Sequence, residues 1–194
     1  KMSKLTPGRI MYSVWCNDLG HVLDDGTVFH LEENIWRLCS QERHLDWLLA
    51  TAMGFDVEIE DETDDIVGLA VQGPTSCQTL KAMKLDGVEN LKPFQMKFFP
   101  FEGTELLVSR TGFTGDLGYE LWVTPEYAET LWDVLFEAGS PFGILPIGSH
   151  ALEIARIEAG FIQADVDFVP ALNVVRAGRG RSPKELGLDW LVHF

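Results

Sequence analysis

The chain has 194 residues, 30 of them acidic and 15 basic, for a formal charge of −15 at pH 7 with histidine neutral. That balance excludes a non-specific nucleic-acid or anionic-membrane binder, because both need a basic surface that displaces counterions. A content of 46% hydrophobic and 11% aromatic residues fits one large or two small globular domains and excludes a disordered acidic tail.

In chain order, 9–16 reads as a strand, 17–20 as its turn and 21–23 as a second strand. Asp24-Asp25-Gly26 is expected to interrupt that strand as a turn before 27–31 resumes it, and 35–39 is a third short strand. A helix over 41–53 carries Leu45, Leu48, Leu49 and Ala52 on one face. Seven of the ten residues in 56–65 are acidic, which predicts a solvated loop or strand edge. The apolar run 66–71 is a strand, and Gly73-Pro74-Thr75 opens a helix over 76–83.

Further along, 98–102, 104–109 and 118–123 read as strands. Thr124-Pro125-Glu126 caps a helix that runs to Ala138, with Ala128, Leu131, Trp132 and Leu135 on its apolar side. A last helix over 147–159 ends at Gly160, a residue suited to a left-handed C-cap. Irregular alternation with frequent hairpins predicts an α+β fold with antiparallel or mixed sheets rather than a doubly wound parallel sheet.

No run approaches the ~18 uninterrupted apolar residues of a membrane span, and Lys1-Met2 is not followed by the apolar core of a signal peptide. A soluble, cytoplasmic protein with no membrane or nucleic-acid partner is expected. Cys16, Cys39 and Cys77 are widely spaced with no CxxC, so neither a disulfide framework nor a metal site is expected. The five histidines, His21, His30, His44, His150 and His193, show no close pairing and read as packing or surface residues.

Three segments carry candidate chemistry. At Asp24-Asp25-Gly26 adjacent carboxylates sit between apolar strands, where burial raises a carboxyl pKa and suits it to act as acid, base or hydrogen-bond anchor; the alternative is a plain turn. Segment 109–121 places three glycines in seven residues ahead of a strand carrying Glu120, which alternates to the face opposite Tyr119 and Leu121. It opens into a strand and lacks a following Lys-Ser/Thr, which disfavours a phosphate loop and leaves a ligand-facing glycine loop or an ordinary hairpin. Segment 176–184 holds four of the fifteen cationic side chains, Arg176, Arg179, Arg181 and Lys184; it is either a site for a small anion or a solvated loop.

Taken together, Tyr12 through Asp25, IVGLAVQGP at 66–74, RTGFTGDLGYE at 110–120, RIEAG at 156–160 and SPKELGLDW at 182–190 resemble the folate-binding aminomethyltransferase family. Its namesake is the glycine-cleavage T-protein, and it includes tetrahydrofolate-dependent demethylases. The resemblance implies tetrahydrofolate as cofactor and a small methylated or aminomethylated donor as partner. It places Asp25, thirteen positions after Tyr12, beside the one-carbon-accepting nitrogen as the catalytic group, with Tyr12 as its cofactor-site neighbour. It implies that Phe113 packs on the folate, that Glu120 hydrogen-bonds the pterin, and that Trp190 is a further wall.

Phe113 stands where the family usually has tyrosine, Leu152 where it has arginine, and Cys39-Ser40-Gln41 near a usual asparagine. The missing arginine and asparagine put the glycine-cleavage reaction in doubt, and Leu152 followed by Glu153 is closer to the demethylase and the sarcosine- or dimethylglycine-dehydrogenase branches. The alternative function is a non-catalytic folate-binding regulatory or scaffold module, or the folate domain of such a dehydrogenase. Family members begin well before Tyr12 and continue past Trp190 into a β-barrel, so the resemblance also implies a fragment, with a barrel or dehydrogenase domain missing or fused. It assigns 1–65 with 101–150 to one lobe and 66–100 with 151–194 to part of a second.

Overall fold

Alternating side chains along the first forty residues build an antiparallel meander of β1 (Arg9–Cys16), β2 (Val22–Glu32) and β3 (Ile35–Ser40). The computed structural model describes residues 2–176 and 178–192. Between β1 and β2, the Asn17 Oδ1 accepts the N–H groups of Leu19 and His21, both at 3.0 Å, and Gly20 takes φ +73°. An Asn side chain that mimics a backbone turn explains the hairpin.

The expected turn at Asp24-Asp25-Gly26 is not formed. β2 runs through these residues in unbroken register, Trp15 opposite Asp24 and Val14 opposite Asp25. Long-range bonds override the local turn propensity. The Asp24 carboxylate is buried and accepts from the Asp25 N–H at 2.8 Å, the Glu42 N–H at 3.3 Å and His44 Nε2 at 3.0 Å. Gly26 serves close packing: a Cβ there would lie 2.1 Å from the Cys39 carbonyl oxygen and 3.1 Å from the Trp15 ring.

The same bonds shorten the first helix. Residues 42–44 are drawn onto Asp24, His44 adopts φ 46°, and α1 covers only Leu45–Ala52 rather than 41–53. The acidic stretch 56–65 forms no strand or helix and is largely exposed, as its charge predicts.

The chain divides into two compact units, Lys1–Asp61 with Ile162–Phe194, and Glu62–Phe161. In the first, Val22, Ala164 and Phe168 pack with Val14, Cys16, Ile162 and Leu186. The second holds β4 (Val67–Gln72), β5 (Met96–Phe101), β6 (Thr104–Ser109) and β7 (Gly118–Val123) in an antiparallel sheet ordered β4-β7-β6-β5. Because β4 hydrogen-bonds to β7, residues 66–100 share a unit with 101–150, and the division into lobes differs from the sequence-based one.

One face of this sheet carries Val71, Leu106, Val108, Tyr119, Leu121 and Val123 into a core closed by Leu80 of α2 (Ser76–Ala82) and by Leu131 and Leu135 of α3 (Ala128–Gly139). Trp132, expected on the apolar side of α3, is 44% exposed and packs on Phe136 instead. A 3₁₀ turn over Pro125–Tyr127 precedes α3, and Thr124 makes no side-chain cap. The last helix, α4 (Ser149–Glu158), stops as expected with Gly160 at φ +77°. Among the described residues no helix is long and apolar enough to cross a membrane.

Gly26→Ala is expected to push β3 and Trp15 away from β2 and to destabilise the protein by about 3 kcal/mol, read as a lower urea midpoint. An unchanged midpoint would contradict the close approach.

Candidate functional site

Asp25 and Tyr12 meet because of register. Tyr12 pairs with Thr27, so Asp25, two residues from Thr27, lies diagonally across on the same sheet face. The Tyr12 hydroxyl donates to Asp25 Oδ2 at 2.5 Å, and Trp190 lies 6.0 Å from the Tyr12 ring. Burial, the bonded Asp25 carboxylate and nearby Asp24 push the Tyr12 phenol well above its ordinary range, so it remains a donor. Burial foremost, with the charge of Asp24 added, raises Asp25 above the usual carboxylate range against the Tyr12 bond and a backbone bond. Asp25 Oδ1 receives no side-chain hydrogen bond from the described residues. Trp190 is 59% exposed and so is not a core residue.

Glu120 sits on β7 between Ser109 of β6 and Ala70 of β4, on the sheet face away from the core, as the alternation predicts. Its Oε2 accepts from the Thr111 hydroxyl at 2.5 Å and from the Ser109 hydroxyl at 3.4 Å. Its Oε1 has no hydrogen-bond partner among the described residues. Burial raises the Glu120 carboxyl above its ordinary range while the two hydroxyls oppose the rise. It is therefore not the solvated glutamate of an ordinary hairpin.

The glycine loop is shaped by protein and not by a ligand. A Cβ at Gly112 or Gly118 would lie 2.0 Å from the Gln72 side-chain oxygen, and one at Gly115 would lie 2.5 Å from the Ala159 methyl group. Gln72 fills the loop, donating to the carbonyls of Tyr119 at 3.2 Å and Thr111 at 3.5 Å and accepting from Thr114 at 3.1 Å. The loop presents Phe113 stacked at 5.7 Å on Phe161. Phe161 is itself fixed by Arg156, whose buried guanidinium donates to the Phe161 carbonyl at 2.9 Å and to Glu153 at 2.6 Å. Gln72 and Arg156 lie inside the sequence segments 66–74 and 156–160, yet their roles depend on residues 39 and 5 positions away.

A cleft of about 560 Å³ beside this loop is lined by Gln72, Thr114, Asp116, Ile147, Glu158 and Ala159, among others. Phe113 and Glu120 do not line it. Of the basic segment, Arg176 and Arg179 are exposed. The Arg181 carbonyl accepts the Val22 N–H at 2.7 Å, which seats this loop on the edge of β2, and its guanidinium reaches the carbonyls of Gly178 and Gly180 at 3.4 Å. His30 is buried and stacks on Trp36 at 3.7 Å, in keeping with a packing role. His44 holds Asp24, a role its isolated position in the sequence hides. His193 lies outside the described residues.

A family model described as the GCVT N-terminal domain matches residues 1–194. The chain belongs to the GCVT N-terminal domain family. Among curated GCVT relatives, an aminomethyltransferase of Caldanaerobacter subterraneus subsp. tengcongensis is 34% identical over 100% of this chain and 50% of its own length. A trimethylamine-oxide aldolase of Ruegeria pomeroyi is 35% identical over 92% of this chain and 24% of its own length. The crystal structure of glycine cleavage system aminomethyltransferase T from Bartonella henselae superposes with a TM-score of 0.79 at 26% identity, covering 98% of this chain and 49% of that one. The chain spans about half the length of the aminomethyltransferases it matches, and the α+β architecture expected from the sequence is that of the GCVT fold.

A carboxyl group raised by the fold contributes stability below its unfolded pKa and loses it as pH rises through the folded one. Glu120→Gln is therefore expected to be at least as stable as the parent at pH 7, with any advantage vanishing on acidification through the carboxylate range. Urea unfolding at pH 7 and pH 4 measures this; a Gln variant markedly less stable at pH 7 would contradict the burial of an ionised Glu120.

Proposed function

We propose that this protein is a tetrahydrofolate-dependent one-carbon transferase whose donor is a small methylated or aminomethylated amine. The observation that carries the reading is Glu120: a carboxylate on a sheet face, one oxygen held chiefly by the Thr111 hydroxyl, with Ser109 at 3.4 Å, and the other open. A pterin offers an amino group and ring N–H donors on a flat, apolar body, and an ionised carboxylate accepts only. Phe113, braced from behind by Phe161, supplies an aromatic wall. Membership of the GCVT family and the names of its aminomethyltransferase relatives support the same reading.

Folate, when bound, supplies the secondary amine that accepts the carbon. Asp25 orients that nitrogen through Oδ1, while Tyr12 holds Oδ2 and fixes the direction of the carboxylate. Trp190, whose ring lies 6.0 Å from that of Tyr12, would serve as a further wall. Rate comes mainly from alignment of donor and acceptor rather than from strong acid–base chemistry. Within the family, Leu152 followed by Glu153 supports a demethylase-like or dehydrogenase-associated branch, and the relative named for trimethylamine oxide supports a methylated amine as donor.

Titration with 5-formyltetrahydrofolate, followed by tryptophan fluorescence, is expected to saturate in the parent and in Asp25→Asn alike. Glu120→Gln should weaken it about tenfold or more, the value of a hydrogen bond to a charged group. One-carbon transfer by Asp25→Asn should fall about a hundredfold or more. A parent that shows no saturable binding would overturn the proposal, and an Asp25→Asn protein with the parent's transfer rate would remove Asp25 from it.

A further inference from the structure

The hydroxyls that hold Glu120 are part of a longer series. Trp122 follows Glu120 by two residues on β7, so both lie on the same sheet face. Its indole N–H donates to Ser109 Oγ at 3.2 Å. Ser109 is fully buried and its Oγ lies 2.7 Å from Thr111 Oγ1. Thr111 in turn donates to Glu120 Oε2 at 2.5 Å. An ionised carboxylate accepts and never donates, so the Thr111 proton must point at Glu120, and this gives the series a direction. With the Thr111 proton on the carboxylate, Ser109 accepts from Trp122 and turns its single proton towards Thr111 at 2.7 Å in preference to the more distant Glu120 Oε2 at 3.4 Å.

We infer that Trp122, Ser109 and Thr111 form a one-way relay of positioning residues that keeps Oε2 of Glu120 filled as an acceptor and leaves Oε1 as the oxygen open to a ligand donor or a proton. The relay rests on the reading of Glu120 as a pterin anchor only for the identity of that ligand. Three consequences follow from donor direction alone. Glu120 is presented as an anion in a fixed orientation, because rotation of its carboxylate would break a short charge-assisted bond. Any proton it takes up goes to Oε1 and blocks ligand docking there. The relay also opposes burial: the groups acting on the carboxyl are the hydroxyls of Thr111 and Ser109 and the surrounding apolar protein, with no charged side chain among them.

The carboxyl ¹³C shift of Glu120, followed against pH in protein labelled at the glutamate δ-carbon and assigned with Glu120→Gln, reads the relay without any ligand. Thr111→Val keeps the volume and removes the hydroxyl, and its midpoint is expected to move up from the parent's. Thr111→Ser restores the donor and should return the midpoint to the parent's. Trp122→Phe removes the N–H that donates to Ser109, together with part of the ring, and should give a smaller rise. An unchanged midpoint in Thr111→Val, or an equal rise in Thr111→Ser, would overturn the relay, since a purely steric role for Thr111 moves stability and not this titration. Binding of 5-formyltetrahydrofolate, measured over the same pH range, should weaken at the pH where each variant protonates. Shifted midpoints in a protein that binds no folate at any pH would leave the relay standing and remove the pterin reading.

Discussion

A carboxylate taken out of water must be hydrogen-bonded by the chain or neutralised, since an unpaired buried charge costs more than most single contacts return. Three acidic side chains in β-strands of this protein meet that constraint in different ways, and much of the local structure follows from how they do so. Asp24 is fully satisfied: one strand N–H, one loop N–H and one imidazole saturate it. Those bonds pin residues 42–44 against β2, delay the start of α1 to Leu45 and hold β2 extended where its composition favours a turn. Asp25 and Glu120 are only partly satisfied: a chain hydroxyl binds one oxygen of each, and Asp25 has a backbone bond besides. Saturated groups build a fold, whereas a partly saturated one is an acceptor in waiting.

The two partly satisfied carboxylates share a design although they stand in different units. Each is carried by the middle of an antiparallel strand, where side-chain direction is fixed by register. Each is steered by a neutral hydroxyl that cannot compensate its charge, Tyr12 for Asp25 and Thr111 for Glu120. Burial lifts both above the ordinary carboxylate range, so each stays responsive to what approaches its free oxygen. Around Glu120 the supports are equally indirect: Gln72 fills the glycine loop, and Arg156 holds Phe161 behind Phe113. The placement of Phe113 and of Glu120 therefore depends on residues that need no contact with a ligand.

Much of this was legible in the sequence where short-range pattern decides. The strands over 104–109 and 118–123 coincide with β6 and β7, and the two-residue period correctly separates Glu120 from Tyr119 and Leu121. The thirteen-residue spacing of Tyr12 and Asp25 becomes a diagonal cross-strand contact. The reading fails where distant residues decide. Asp-Asp-Gly has the composition of a turn, and only the donors at Glu42 and His44 and the carbonyl at Cys39 explain why it stays in a strand. Three glycines suggest space for a ligand, but the space belongs to Gln72 and Ala159. Trp132 fits the helical period of α3 yet lies at the margin of the buried stripe, where a large ring remains half in water. Strand order is likewise invisible to periodicity, and nothing in the local pattern marks β4 as the partner of β7.

A crystal structure of the protein with 5-formyltetrahydrofolate bound separates a pterin anchored on the open oxygen of Glu120 from one held elsewhere. A pterin N–H is expected within hydrogen-bond distance of Glu120 Oε1, with the ring against Phe113 and the Thr111 bond to Oε2 retained. A folate bound with its pterin away from Glu120, or a carboxylate rotated so that Thr111 no longer reaches it, would show that Glu120 is not the anchor.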